Sequence, residues 1–221
     1  MCLPDMALKE NDFIEVDYSG RLKETGQLFD TSNIEEAQKA GMHSHVHAAV
    51  ICLGRGQLLK GLENKLFGKE IGKEYTIALV PEEAFGKKDA KLLKIVPTNI
   101  FLKQGIRPMP SLQVNIDGLI GTIRTVSGGR TIVDFNHPLA GHEIEYTITV
   151  KRIVSDKKEQ VKGFLELEAH LHDAEVNVKE NKAEIKLKKM LPEQVTNFLS
   201  AQIKELMGLD VIFEILAEKK V

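Results

Sequence analysis

Apolar and polar residues alternate from Phe13 to Tyr18, with Ile14, Val16 and Tyr18 set against Phe13, Glu15 and Asp17. This is the period-2 pattern of a strand, which Gly20 is expected to end. Asn33 to Gly41 predicts a short helix, with Asn33 as its cap and Gly41 as its stop. Leu59, Leu62 and Leu66 then recur at helical spacing between Gly56 and Gly68, which predicts one amphipathic helix of about two turns. Ile116 to Ile123 predicts two strands joined at Asp117-Gly118. Thr131–Phe135 and Ile144–Val150 predict two more strands. After a polar linker at Ser155–Lys158, Val161, Phe164, Leu165 and Leu171 suggest a helix. Glu175–Lys179 and Ala183–Leu187 alternate like a hairpin turning at Glu180-Asn181. Pro192 to Met207 is the best helical stretch, with Gly208 after it and Val195, Phe198, Leu199, Ile203 and Leu206 along one side. Asp210–Leu216 predicts a closing strand. A short helix packed across an antiparallel sheet is an α+β plan.

Composition changes this picture at one place. From Lys88 to Thr131 seven basic residues face only Asp89 and Asp117. The segment is also rich in Leu, Ile and Val, so it reads as a small β-rich domain inserted at an exposed tip, where insertions cost little. Its basic face attracts acidic or unfolded chains, or is simply solvated. Over all 221 residues, 43% are hydrophobic and 28% charged, as in ordinary globular proteins. A net charge of -2 gives no reason to expect nucleic-acid binding. No apolar run approaches the ~20 residues of a membrane helix, and the N-terminus lacks the build of a secretory signal. Cys2 and Cys52 are isolated, which excludes a disulfide framework or a four-cysteine metal site. A cytoplasmic location is expected.

Five short words carry the candidate chemistry: Val16–Gly20, Leu28–Ser32, Leu53–Leu62, Pro81–Gly86 and Asn136–Gly141. Each alone is bland, since Asp30 before Thr31-Ser32 reads as a turn residue, Phe29, Leu62 and Tyr146 as core, and Asn136–Pro138 as a tight turn. Together, in this order, they resemble the FKBP-type peptidyl-prolyl isomerases. The stretch 87–131 resembles the insert-in-flap segment of SlyD-like members, and the tail after Ser155 is similar to the long archaeal type. The resemblance implies an FKBP-like antiparallel sheet wrapped on a short helix, an inserted β-rich domain and a C-terminal α-β-β-α-β domain. It divides the chain into 1–87 with 132–155 (isomerase), 88–131 (insert-in-flap, chaperone) and 156–221.

Carried over residue by residue, the resemblance makes Tyr18, Asp30, Leu59 and Phe85 catalytic. Phe29, Leu58, Leu62, Leu139 and Tyr146 would line the proline pocket, with Leu62 as its floor. The Leu59 N–H would hold a peptide carbonyl, and Asp30 would be the carboxylate at the reacting amide. Phe85 replaces a tyrosine whose hydroxyl binds substrate in many relatives, and Ala49 falls near a position that is often aromatic. Such chemistry breaks no bond. It twists an X-Pro amide over a barrier of roughly 18–20 kcal/mol, and the twisted amide is less dipolar than the planar one. A dry, shaped cup therefore serves better than an acid–base pair. No cofactor or metal is expected.

In the insert, Ile95 and Phe101, with Val96, Ile100, Leu102 and Ile106, form a candidate groove for unfolded or partly folded proteins. A holdase with weak isomerase activity is the rival reading, and a homodimer through the C-terminal domain stays open. His43, His45 and His47 alternate so that an extended segment would aim them to one side, a metal-handling alternative set below a solvated flap. Gly54-Arg55-Gly56 lacks the lysine and spacing of a phosphate loop.

Overall fold

The computed structural model describes residues 7–42 and 49–216, so His43, His45 and His47 lie outside the described residues. The first half forms β1 (Phe13–Leu22), β2 (Leu28–Thr31), α1 (Ile34–Lys39), β3 (Ala49–Cys52), α2 (Lys60–Leu66), β4 (Glu74–Leu79), β5 (Leu93–Pro97) and α3 (Thr98–Lys103). The second half forms β6 (Gln113–Ile116), β7 (Leu119–Ser127), β8 (Arg130–Asp134), β9 (Ile144–Ile153), α4 (Lys157–Ala169), β10 (Glu175–Lys179), β11 (Lys182–Leu187), α5 (Glu193–Met207) and β12 (Asp210–Ile215). The fold is α+β, and the elements divide into two compact units, Met1–Ala78 with Ile144–Val221, and Leu79–Glu143. Among the described residues no helix is long and apolar enough to cross a membrane.

The first unit is built on a sheet of order β2-β1-β9-β4, with β3 also paired to β1. β9 alternates cleanly, burying Ile144, Tyr146, Ile148 and Val150 and leaving the residues between them half-buried. β1 does not stop at Gly20 as its pattern suggested. It runs to Leu22 because Gly20 pairs on both sides, with Asp30 in β2 and Tyr146 in β9. Asn33 does cap α1, its Oδ1 accepting the N–H groups of Glu35 and Glu36.

The residues after β9 pack directly on this sheet. Ser155–Lys158 is no linker: Asp156 accepts the N–H groups of Lys158 and Glu159 and caps α4. A helix start needs such an acceptor, so the polarity that suggested a linker belongs to a cap. Gly163 on α4 lies so close to β3 that an added Cβ would stand 2.5 Å from the Val50 Cβ. Phe13 and Cys52 thereby join one buried cluster with Val161, Phe164 and Leu165. Arg152 on β9 fastens the join, donating to Glu15 on β1 at 2.6 Å and to Glu159 in the first turn of α4 at 2.5 Å. α4 ends at Ala169, where His170 takes a left-handed conformation (φ 53°), leaving Leu171 beyond the helix.

β10, β11 and β12 form a second sheet in that order, with the expected hairpin between Lys179 and Lys182 and a parallel β11–β12 pair. Parallel pairing requires a crossover, which α5 supplies. α5 buries Leu199, Ile203 and Met207. Val195 and Phe198, expected on the apolar side, face out, with Phe198 55% exposed. Leu199, Ile203 and Met207, spaced by four, seat the helix; Phe198, one residue before Leu199, points about 100° off that stripe, and Val195 lies on it but in the exposed first turn.

The second unit holds an antiparallel sheet of order β5-β8-β7-β6 and the helix α3. Asp117 and Gly118, both at positive φ (51° and 83°), make the tight turn from β6 to β7. Phe101, Val114, Ile123 and Val133 form its core. Gly121 is required there, since a Cβ would meet Val133 at 2.6 Å and the Phe135 ring at 2.9 Å. Asp134 is buried but satisfied: Arg124 donates to Oδ2 from Nε at 2.9 Å and Nη2 at 2.7 Å, and Asn136 donates to Oδ1 from its backbone N–H and Nδ2.

Candidate functional site

Three residues lie in one row across three strands: Asp30 on β2, Gly20 on β1 and Tyr146 on β9. Directly paired residues project to the same side of a sheet, so Asp30 and Tyr146 face one another over a position that has no side chain. Their strands stand two spacings apart, about 9.6 Å. A tyrosine spans that gap, and the Tyr146 hydroxyl donates to Asp30 Oδ2 at 3.3 Å.

The pairing of β1 with β2 slips between Gly20 and Arg21, so Phe29 is the extra residue of a bulge. A bulge re-aims a side chain that strict alternation would send to the opposite face. The Phe29 ring therefore also closes over Gly20, where an added Cβ would lie 2.8 Å from both Phe29 Cζ and Tyr146 Cε1. Phe29 meets Tyr146 edge-on, with centroids 5.7 Å apart at 88°, the arrangement ring quadrupoles favour. Tyr18, two residues before Gly20 and hence on the same side, tilts against Tyr146 at 6.0 Å.

The result is an aromatic cup around one carboxylate. Burial raises the Asp30 carboxyl above its ordinary range, against the hydrogen bonds from Tyr146, the Thr31 backbone and Tyr18, which pull the other way. Burial and the nearby Asp30 charge push Tyr18 up to about 12, and Tyr146 is raised further for the same reasons. Both phenols stay protonated hydrogen-bond donors at neutral pH. Thr31 and Ser32 tie the strand end behind the cup, with Ser32 Oγ accepting the Tyr18 N–H at 2.8 Å and Thr31 Oγ1 in hydrogen-bond contact with Ser19 Oγ at 2.9 Å.

Leu59 stands at the N-cap of α2, its carbonyl taking the N–H groups of Leu62 and Glu63. Leu58 and Leu59 are half-buried, and Leu62 is 0% exposed. The loop before them is held from inside by Glu63, whose Oε2 accepts the Gly56 N–H at 3.3 Å.

Phe85 and Leu139 belong to the second unit. Phe85 stacks flat on His137, with centroids 4.5 Å apart and 2° between planes, and His137 Nδ1 accepts the Leu139 N–H at 3.2 Å. On the insert sheet Ile95 is 64% exposed and Ile120 is 68% exposed. Phe101 is only 2% exposed, in the core of that unit, and so is not a groove residue. An aromatic residue on the inward side of so short a helix is the main apolar mass available to that core, which explains its burial. Sequence reasoning missed Gly20, His137 and the bulge at Phe29. Only the glycine leaves a signal in one sequence, as a small residue among β-formers.

Comparison with known proteins gives the family. Residues 5–102 match the profile of the FKBP-type peptidyl-prolyl cis-trans isomerases, and residues 94–139 match that of the IF domain of FKBP26. The chain belongs to the FKBP-type peptidyl-prolyl cis-trans isomerase family, an enzyme family. It is 31% identical over 150 residues to the short-type peptidyl-prolyl cis-trans isomerase of Methanocaldococcus jannaschii, an alignment covering 66% of this chain and 94% of that protein. It is 30% identical over 129 residues to the isomerase SlyD of Vibrio cholerae, covering 55% of this chain and 59% of SlyD. It is 34% identical over 109 residues to the FKBP-type 16 kDa isomerase of Escherichia coli, covering 48% and 73%.

Proposed function

We propose that this chain catalyses cis–trans isomerisation of X-Pro bonds in proline-containing peptides and in unfolded or partly folded proteins. The observation that carries the reading is the aromatic cup of Tyr18, Phe29 and Tyr146 around Asp30, in a chain of this family. Phe29 and Leu58, both half-buried, receive the proline side, the buried Leu62 and Tyr146 back it as floor and wall, and the Leu59 N–H holds a peptide carbonyl. The apolar walls disfavour the dipolar planar amide relative to the twisted one, and Asp30 is the charged group beside the reacting bond. Phe85 and Leu139 are further substrate contacts.

In the same proposal residues 88–131 act as an insert-in-flap chaperone domain, residues 1–87 with 132–155 as the isomerase, and 156–221 as a C-terminal domain. The exposed Ile95 and Ile120 support capture of apolar segments by the insert. Holding a client on the same chain raises its local concentration at the pocket. The same exposed residues favour, as a second reading, a holdase with weak turnover. A refolding protein limited by X-Pro isomerisation, otherwise slow by tens to hundreds of seconds, discriminates the two. Catalytic amounts accelerate its slow phase if the first reading holds, whereas a holdase only suppresses aggregation at stoichiometric amounts.

A further inference from the structure

The loop that leads into α2 is gripped from the C-terminal side of the first unit. Gln57 sits one residue before Leu58 and two before Leu59. Its side-chain amide bonds in two directions: Oε1 accepts the Cys52 N–H at the end of β3 at 2.7 Å, and Nε2 donates to Glu168 Oε1 on α4 at 3.0 Å. Arg55, on the same loop, donates to Glu205 on α5 at 2.8 Å and through Nε to Asn11 at 3.0 Å. Gly54 is packed so closely that a Cβ would stand 2.8 Å from the Glu10 side chain. α4 itself is fixed against β3 by the Gly163–Val50 contact. The loop therefore runs from a rigid strand to Leu58 and Leu59 with two of its side chains anchored on α4 and α5.

We propose that the C-terminal α-β-β-α-β unit sets the geometry of the pocket, with Gln57 and Glu168 as positioning residues that place Leu58 and the Leu59 N–H for the peptide. This rests on the proposed isomerase site and adds a role for the C-terminal unit. The chemistry favours an amide at position 57, because it must offer an acceptor to a backbone N–H and a donor to a carboxylate at once. The bond to the Cys52 N–H is part-buried and fixes the Gln57 side chain, while the exposed bond to the Glu168 carboxylate, weakened by solvent, ties that side chain to α4. The Arg55–Glu205 pair is largely solvated and contributes little alone.

The pairing can be broken and restored. Gln57→Glu sets two carboxylates against each other, and adding Glu168→Gln restores one donor and one acceptor. Two readouts on the full chain test it: amide hydrogen exchange over residues 52–62, and kinetics on a short proline peptide. Gln57→Glu should speed exchange in that segment and raise KM about fivefold with kcat changed less than about twofold, the signature of lost ground-state binding. The double variant should return both readouts to within about twofold of the parent. Glu168→Ala should act like Gln57→Glu, and Glu168→Gln alone, which keeps an acceptor, should act like the parent. Unchanged exchange in Gln57→Glu overturns the grip. Faster exchange with unchanged KM overturns its role in positioning. Silent kinetics in Asp30→Leu would instead indict the pocket assignment, and the exchange data would still decide whether the loop is held.

Discussion

The Tyr146 hydroxyl donates to the Asp30 carboxylate although their strands never pair, because Gly20 on the strand between them leaves the space open. Any side chain at position 20 would meet Phe29 and Tyr146 at 2.8 Å. The cup is thus a product of register as much as of residue type.

Removing either partner should lower turnover on a short proline peptide. Tyr146→Phe loses a hydrogen bond to a charged group, worth about 1.5–3 kcal/mol, so a loss of roughly ten- to a hundredfold is expected if the bond is made in the transition state. Asp30→Leu should lose at least as much with far-ultraviolet dichroism unchanged. Unaltered kinetics in both Asp30→Leu and Phe29→Ala would place the pocket elsewhere.

Stability should respond to pH at two carboxyls in opposite senses. Burial raises Asp30, so its neutral form is favoured in the folded chain; stability is greatest below the ordinary value of 3.8, falls as pH rises through the raised folded value, and then levels. Asp134 is lowered: burial opposes, but the hydrogen bonds from Asn136 and Arg124 prevail, so its contribution is present above 3.8 and lost as pH falls through the lowered value. Denaturation curves of Asp30→Asn against the parent should differ in slope above 3.8, and those of Asp134→Asn below it. Parallel curves would refute the assignments.

The close approach of α4 to β3 predicts a stability change remote from the pocket. Gly163→Ala drives a Cβ to 2.5 Å from that of Val50, and overpacking of this kind costs about 1–3 kcal/mol. Chemical denaturation measures it. A neutral result would mean that α4 can lift away from the sheet at no cost.

On the insert, Ile95→Glu with Ile120→Glu should reduce acceleration of protein refolding severalfold while leaving peptide turnover intact. Phe101→Ala should instead destabilise that unit, by about 3–5 kcal/mol for a buried phenylalanine. Deleting residues 88–130 should reproduce the split between substrates. Equal losses on both would end the division of labour.

Phe85→Tyr keeps a ring that can stack on His137 and adds the hydroxyl used by many relatives. Turnover on short peptides should rise by a factor of two or so, the modest gain of one neutral hydrogen bond. A fall would mean that the apolar edge of Phe85 is itself the contact.

Much of this fold is legible in one sequence because the elements concerned carry their own signals. β9 alternates without a break, the hairpin at Glu180-Asn181 sits between two alternating runs, and α5 has Pro192 before it and Gly208 after it. What escapes depends on partners distant in sequence. That Phe29 turns inward follows from a slip against β1, and that Gly20 lies inside a strand follows from pairing on both sides. The cap at Asp156 looks like a linker because both are polar, and the exposure of Phe198 depends on how α5 is rotated about Leu199 and Ile203. The aromatic and acidic members of the cup were readable as types, but the geometry that joins them was not.

The pairing of β1 with β9 also dictates an order of events during synthesis. Ile14 is matched with Ile51 on β3 and with Ile153 on β9, so one side of β1 can pair early while the β1–β9 pairing waits until nearly 140 further residues have been made. Everything the insert needs, from β5 to β8, is translated before that and joins neighbours near in sequence, β6 to β7 and β7 to β8. Local contacts form quickly and distant ones slowly. The nascent chain therefore holds all of the insert's strands, with Ile95 and Ile120 exposed, while the first sheet has β1, β2 and β3 but still lacks β9. A chain built in this order can complete its second unit before the strand that carries Tyr146 reaches Gly20 and Asp30.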